Sequence, residues 1–176
     1  MQQAVLHKLL VRRHEPPHMD LYHLEKPVWT DQDFENMGWH DASVWSMVAD
    51  SERFEFLIDI DYIFNWVHPG QGETYFKFWV SPATMVFENA SDVRIDIETQ
   101  QGCIEVMDVR REVVGPSPNG RFTQYKYKFE CRQGEIELQA TALHMYVRRA
   151  PARIDHQSFE LATRNGVSFS RTYSDA

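Results

Sequence analysis

Hydrophobic positions change their spacing once along this chain. Near the start, Val5, Leu6, Leu9 and Leu10 recur at helical intervals, and the pattern stops before Glu15-Pro16-Pro17, where the first proline disfavours helical geometry in its predecessor. This predicts a short helix or arm. Residues 14–29 carry Pro16, Pro17 and Pro27, lose all periodicity and read as an extended lead-in. Thr30-Asp31-Gln32-Asp33 then has the form of a capping box, with Phe34 and Met37 on one face and Gly38 placed to end the helix in the left-handed conformation. The predicted helix runs from about Asp31 to Met37.

From Asp41 onward the period is two. Even-numbered positions from Phe54 to Trp66 are all apolar, while the positions between them include Glu55, Asp59, Asp61 and Asn65. The alternation predicts a strand whose even face is core and whose odd carboxylates reach solvent or a polar site. Fully extended, such a row runs to about 46 Å, so a bend or bulge is expected, near Asp61-Tyr62. His68 to Gly72 is a loop, Tyr75 to Val80 resumes the alternation, and Pro82 is expected to break the ladder. Further strands are predicted at Met85–Glu88, Val93–Glu98, Cys103–Val114, Phe122–Cys131 and Glu135–Val147, joined by hairpin-like connections at 89–91, 100–102, 115–120 and 132–134. After Pro151 the chain is polar, with one short strand candidate at Val167–Phe169.

This pattern implies an all-β, mainly antiparallel single domain: a barrel, roll or two-layer sandwich with one short helix. Its expected divisions are an N-terminal arm and lead-in (1–29), a β-rich domain (30–150) and a polar C-terminal tail (151–176). An aromatic share of 13%, high for a chain of 176 residues, fits a sheet-built core. No apolar run approaches the ~20 residues that span a bilayer, and the N-terminus lacks a secretory pattern, so a cytoplasmic protein is expected. Cys103 and Cys131 have no Cys-x-x-Cys spacing and are read as reduced thiols.

Charge sharpens the functional reading. The net charge of −8 resolves into +2 over residues 1–18, −13 over 19–105 and +3 over 106–176. An acidic centre repels phosphates, which argues against nucleic acid, and attracts a basic partner or a cation.

Three constellations could carry chemistry. Trp39-His40-Asp41 stands at the entrance to the first long strand, where His40 and Asp41 can pair as base and orienting carboxylate only if the strand has not yet begun, and Trp39 can plug the end of the core. Asp59 and Asp61 share a strand face; Asp96 on a neighbouring strand could add an oxygen, but no calcium-loop spacing is present, and an opposing Lys77, Arg94 or other arginine is the simpler partner. The aromatic set that includes Trp39, Trp66 and Trp79 can line a pocket or fill the core. No motif names a catalytic residue, a metal site or a cofactor.

Trp39-His40-Asp41 followed by an alternating strand, and then Met85-Val86-Phe87-Glu88-Asn89-Ala90-Ser91-Asp92-Val93-Arg94-Ile95, resembles the layout of small uncharacterised bacterial β-proteins, some assigned as immunity proteins of polymorphic toxin systems. The likeness covers residues 39–147, whereas the long strand row and the N-terminal arm depart from it. It implies a stand-alone protein that binds another protein and has no catalytic residues to carry over. Three functions therefore stand open, in this order: a binding protein of inhibitor or immunity type for a basic partner, a small-molecule-binding β-barrel with an aromatic pocket, and a small enzyme using His40 with nearby carboxylates. Oligomeric state is not legible.

Overall fold

A computed structural model describes residues 21–174; the arm predicted over residues 1–13 lies outside the described residues. Ten strands form one antiparallel sheet: β1 (Val28–Thr30), β2 (Ala42–Asp50), β3 (Glu55–Val67), β4 (Lys77–Glu88), β5 (Ser91–Ile97), β6 (Ile104–Pro116), β7 (Thr123–Cys131), β8 (Gly134–Ala140), β9 (Ala142–Val147) and β10 (Ala152–Ile154). Their order is β1-β9-β4-β3-β2-β6-β7-β8-β5, with β10 on β4. The sheet is rolled and not closed. Its two halves are joined by β2, which pairs with β3 along most of its length and with β6 only at Ala42–Val44.

The chain crosses between the halves at two neighbouring corners. Strands β4 and β5 are consecutive but do not pair, so the 89–91 connection is a corner and not the expected hairpin. Likewise the single predicted strand 135–147 is two strands, interrupted at Thr141, whose N–H donates to the Glu88 carbonyl across the corner (2.9 Å). Concave-face side chains from both halves fill the interior: Ile58, Met85, Phe87, Tyr127, Phe129, Ile136, Leu138 and Leu143 are fully buried together. Phe87 lies edge-on to Tyr127 and Phe129 (5.0 and 5.9 Å).

The predicted helix is a 3-10 helix, Asp31–Asn36. Its cap has the expected form: the Thr30 hydroxyl accepts from the Gln32 N–H and the Asp33 carboxylate accepts from the Thr30 N–H (2.9 Å). Gly38 does not supply a left-handed stop, because Met37, in extended conformation, is the residue that ends the helix. The Gly38 N–H instead donates to the Tyr62 hydroxyl (2.9 Å), tying the helix exit to β3. Trp39 is buried between Phe34 and Tyr62 and closes this end of the core.

Pro82 does not break β4. It falls between the part of β4 that pairs with β10 (Phe78–Val80) and the part that pairs with β9 (Ala83–Glu88), so its missing N–H leaves no ladder bond unmade. The core-facing row of β3 is shorter than the alternation suggests, although the strand itself runs to Val67. Phe54 sits in the β2–β3 turn with φ 58 and is largely exposed, and the bulge expected at Asp61-Tyr62 lies two residues later, between Ile63 and Asn65.

Candidate functional site

The bulge decides where the aromatic end of β3 points. Before it, Phe56, Ile58, Ile60 and Tyr62 face the interior while Leu57, Asp59, Asp61 and Ile63 face outward. After it the phase is reversed: Trp66 pairs with Phe78, which shares the outer cluster of Ile63, Val80 and Phe159. Trp66 therefore leaves the core row to which its even number assigned it. Trp79 takes the opposite side, half-buried, with Tyr22 against its ring (5.3 Å).

The outer face of β3 and β4 is covered by residues 155–174, the stretch whose sequence reads as a polar tail. No strand forms at Val167–Phe169; the segment contains one helical turn, α1 (Leu161–Arg164). What holds it is charge. Asp59 and Asp61, expected to reach solvent or a polar site with a basic partner opposite, are fully buried, and the equally buried Arg164 is clamped between them: its Nε donates to Asp61 Oδ1 (2.8 Å), its Nη1 to Asp59 Oδ2 (2.8 Å) and its Nη2 to Asp59 Oδ1. Arg148 donates to Asp59 as well (2.8 Å). Trp45 Nε1 and the Phe159 N–H donate to Asp61, and the Ser168 N–H to Asp59 (each 2.9 Å). The Arg164 guanidinium also lies over the Trp45 ring (4.9 Å). Every carboxylate oxygen is thus satisfied, so this pair is an internal anchor and not a cation or partner site. Asp96 does not join it, since β5 is the far edge strand and Asp96 faces solvent beside Arg94 (3.3 Å).

Where the covering segment starts, it leaves an open groove of about 1130 Å³ between the entrance of β2, the start of β6, the end of β3 and the loop before β4. One wall is aromatic: Trp66, 36% exposed, lies edge-to-face with Phe76 (5.8 Å) and Phe78 (5.0 Å), and Tyr75 and Phe159 extend the wall. The lining also carries five carboxylates, Asp41, Glu73, Glu105, Asp155 and Glu160, against one lysine, Lys77, which pairs with Glu73 (2.7 Å).

Asp41 belongs to this groove and is buried, with φ 65 in the left-handed region that aspartate tolerates better than most residues. Strand β2 starts one residue later, so His40 and Asp41 are not forced onto opposite faces. His40 Nδ1 lies 2.8 Å from Asp41 Oδ1 but off the hydrogen-bond direction, and Oδ1 has no hydrogen-bond donor. Oδ2 accepts from Gln157 Nε2 (2.6 Å). Beside Asp41 stands Glu105, whose carboxyl is held above the usual carboxylate range by burial first and then by the neighbouring Asp41; Arg132, 2.8 Å away, opposes this. His40 itself is exposed, its ring edge-on to Trp66 (5.9 Å).

The structure thus brings together Trp66, His40 and Asp41 with Phe76 and Phe78 of the predicted aromatic set, adds Glu105 and Gln157, and removes Trp39, Asp59, Asp61, Trp79 and Asp96 from the groove. Gln157 and Glu105 had no local signal; they become partners only when the tail folds back and β6 meets β2. Among the described residues, no group of three or more His, Cys, Asp or Glu side chains is placed to hold a metal ion, and no helix is long and apolar enough to cross a membrane. No known protein family and no curated protein matches the chain.

Proposed function

We propose that the protein is a binding protein of inhibitor or immunity type, and that its groove receives a basic segment of another protein. The observation that carries this reading is the coincidence, on one open face, of exposed aromatic rings with five carboxylates, of which the exposed Asp155 and Glu160 have no ion-pair partner among the described residues. Aromatic anchors supply contact area at small entropic cost, and unpaired acids select a positive partner. The interior of the roll is occupied by close-packed side chains, which favours a surface contact over an enclosed ligand.

The test is the binding of a fluorescent Lys/Arg-rich peptide. The native protein should bind it in a salt-sensitive manner, and Trp66→Ala, or Asp155→Asn with Glu160→Gln, should weaken binding roughly tenfold without unfolding the protein. Equal binding by all forms overturns the reading. A second reading, an enzyme with His40 oriented by Asp41, rests on their 2.8 Å approach. It requires turnover of a substrate that is lost on His40→Ala.

A further inference from the structure

We propose that β5 is a dimerisation edge: two copies of the chain pair their β5 strands antiparallel about a two-fold axis at Ile95 and so join their sheets. This goes beyond the groove reading, since no residue of β5 lines the groove. Strand β5 ends the sheet and, among the described residues, pairs with β8 alone. Its backbone phase fixes which groups are left over. The Glu98 N–H donates to the Gln133 carbonyl (2.9 Å), and antiparallel bonds recur at every second residue, so the backbone groups of Asp96 and Arg94 turn toward β8 while those of Val93, Ile95 and Ile97 turn to the open edge. Such an edge is a template for another strand. The apolar face of the sheet runs out to it as well: Ile95 pairs with the fully buried Ile136 and Ile97 packs on the core, yet Ile95 is 49% and Val93 40% exposed.

The side chains of β5 are complementary to themselves. About an axis at Ile95, a second β5 sets Ile95 against Ile95, Val93 against Ile97 and Arg94 against Asp96, so apolar residues meet on the core face and opposite charges meet, twice by symmetry, on the outer face. The same register brings the outward N–H and C=O groups of Val93, Ile95 and Ile97 into hydrogen-bonded pairs. Moving the axis to Arg94 or Asp96 sets that charge against itself, moving it to Ile97 sets Asp96 against Glu98, and moving it to Val93 carries Ile97 past the end of the partner strand. Asp92 meets Glu98 just outside the matched stretch, which confines the pairing to Val93–Ile97. Arg94 and Asp96 are largely exposed, 3.3 Å apart within one strand, and can re-pair across the axis without leaving a buried contact.

Sedimentation velocity of the full chain over a concentration series tests this. A reversible dimer of twice 20.7 kDa is expected. Arg94→Asp and Asp96→Arg each oppose like charges across the axis and should each raise the dimer dissociation constant about tenfold, whereas Arg94→Asp combined with Asp96→Arg should return it to near the native value. With rising concentration the Ile95 and Ile97 amides should gain exchange protection, a protection that the Asp96 amide already has from β8. If a single variant loses the native circular dichroism spectrum, the amide protection decides. A chain that stays monomeric up to its solubility limit overturns the proposal, as does a dimer that neither charge reversal weakens, that the combined exchange fails to restore, or that forms without protecting Ile95 and Ile97. Trp66→Ala should leave the dimer intact; if it dissociates the dimer, the contact lies at the groove and the β5 pairing is overturned while the groove reading stands.

Discussion

At the scale of single residues, the buried Arg164 and the half-buried Glu105 act on the fold in different ways. Arg164 donates hydrogen bonds to two fully buried carboxylates, and removing it would leave Asp61 with no charged donor and Asp59 with Arg148 alone. Breaking a buried pair in this way costs about 3–5 kcal/mol, so Arg164→Leu should unfold at much lower denaturant than the native protein, whereas loss of an exposed pair such as Arg94–Asp96 should move the midpoint by less than about 1 kcal/mol. Glu105 behaves differently. Because its carboxyl is raised in the folded state, the native protein binds its proton more firmly than the unfolded chain, and the associated stability is present at low pH and lost as pH rises through the folded value. Glu105→Gln should flatten that decline between mildly acidic and neutral pH. Urea titrations of both proteins at several pH values measure it, and parallel pH profiles would show that Glu105 carries no such strain.

At the scale of elements, what was legible in the sequence is what local chemistry dictates. The Thr30–Asp33 cap, the strand alternation around Ile58 and Ile60, and the two-residue turn at Arg132-Gln133 each need only neighbouring residues. The phase change at the β3 bulge was not legible, because residues 62–64 are apolar on either side of it and no spacing marks which one is extra. Nor was the role of the C-terminal segment: its hold on β3 comes from Arg164 meeting aspartates more than 100 positions earlier, and no hydrophobic period records that. Truncation after Ala150 should therefore remove the cooperative thermal transition, since it uncovers Asp59 and Asp61 and removes Arg164, the guanidinium that bonds to both. A truncated chain with native near-ultraviolet circular dichroism would refute this. At the β7–β8 turn, Gly134 has φ 140, and a Cβ there would meet the Asp96 carbonyl oxygen at 2.0 Å. Gly134→Ala should cost more than the ~1–3 kcal/mol of a disfavoured backbone alone, because the edge strand β5 must also shift. Amide exchange in β5 reads out that shift.

At the scale of the whole molecule, the charge asymmetry of the sequence is largely spent inside the protein. Arginines of the basic final third fold back on acids of the centre: Arg111 on Glu35, Arg132 on Glu105, Arg148 and Arg164 on Asp59, and Arg171 on Glu55. In the groove, Asp155 and Glu160 are exposed and have no ion-pair partner among the described residues, and the proposed steering of a basic partner falls to them. This separates two effects that the sequence alone merges. Asp155→Asn with Glu160→Gln should slow association with a basic protein partner and reduce its dependence on ionic strength, leaving the melting temperature nearly unchanged, because both side chains lie on the segment's outer side. Asp59→Asn with Asp61→Asn should do the reverse, lowering stability while leaving the association rate of the surviving folded fraction alone. Stopped-flow association at low and high salt, paired with thermal melts of the same variants, distinguishes them. A rate that responds to the buried pair and ignores the groove acids would move the recognition surface away from the groove.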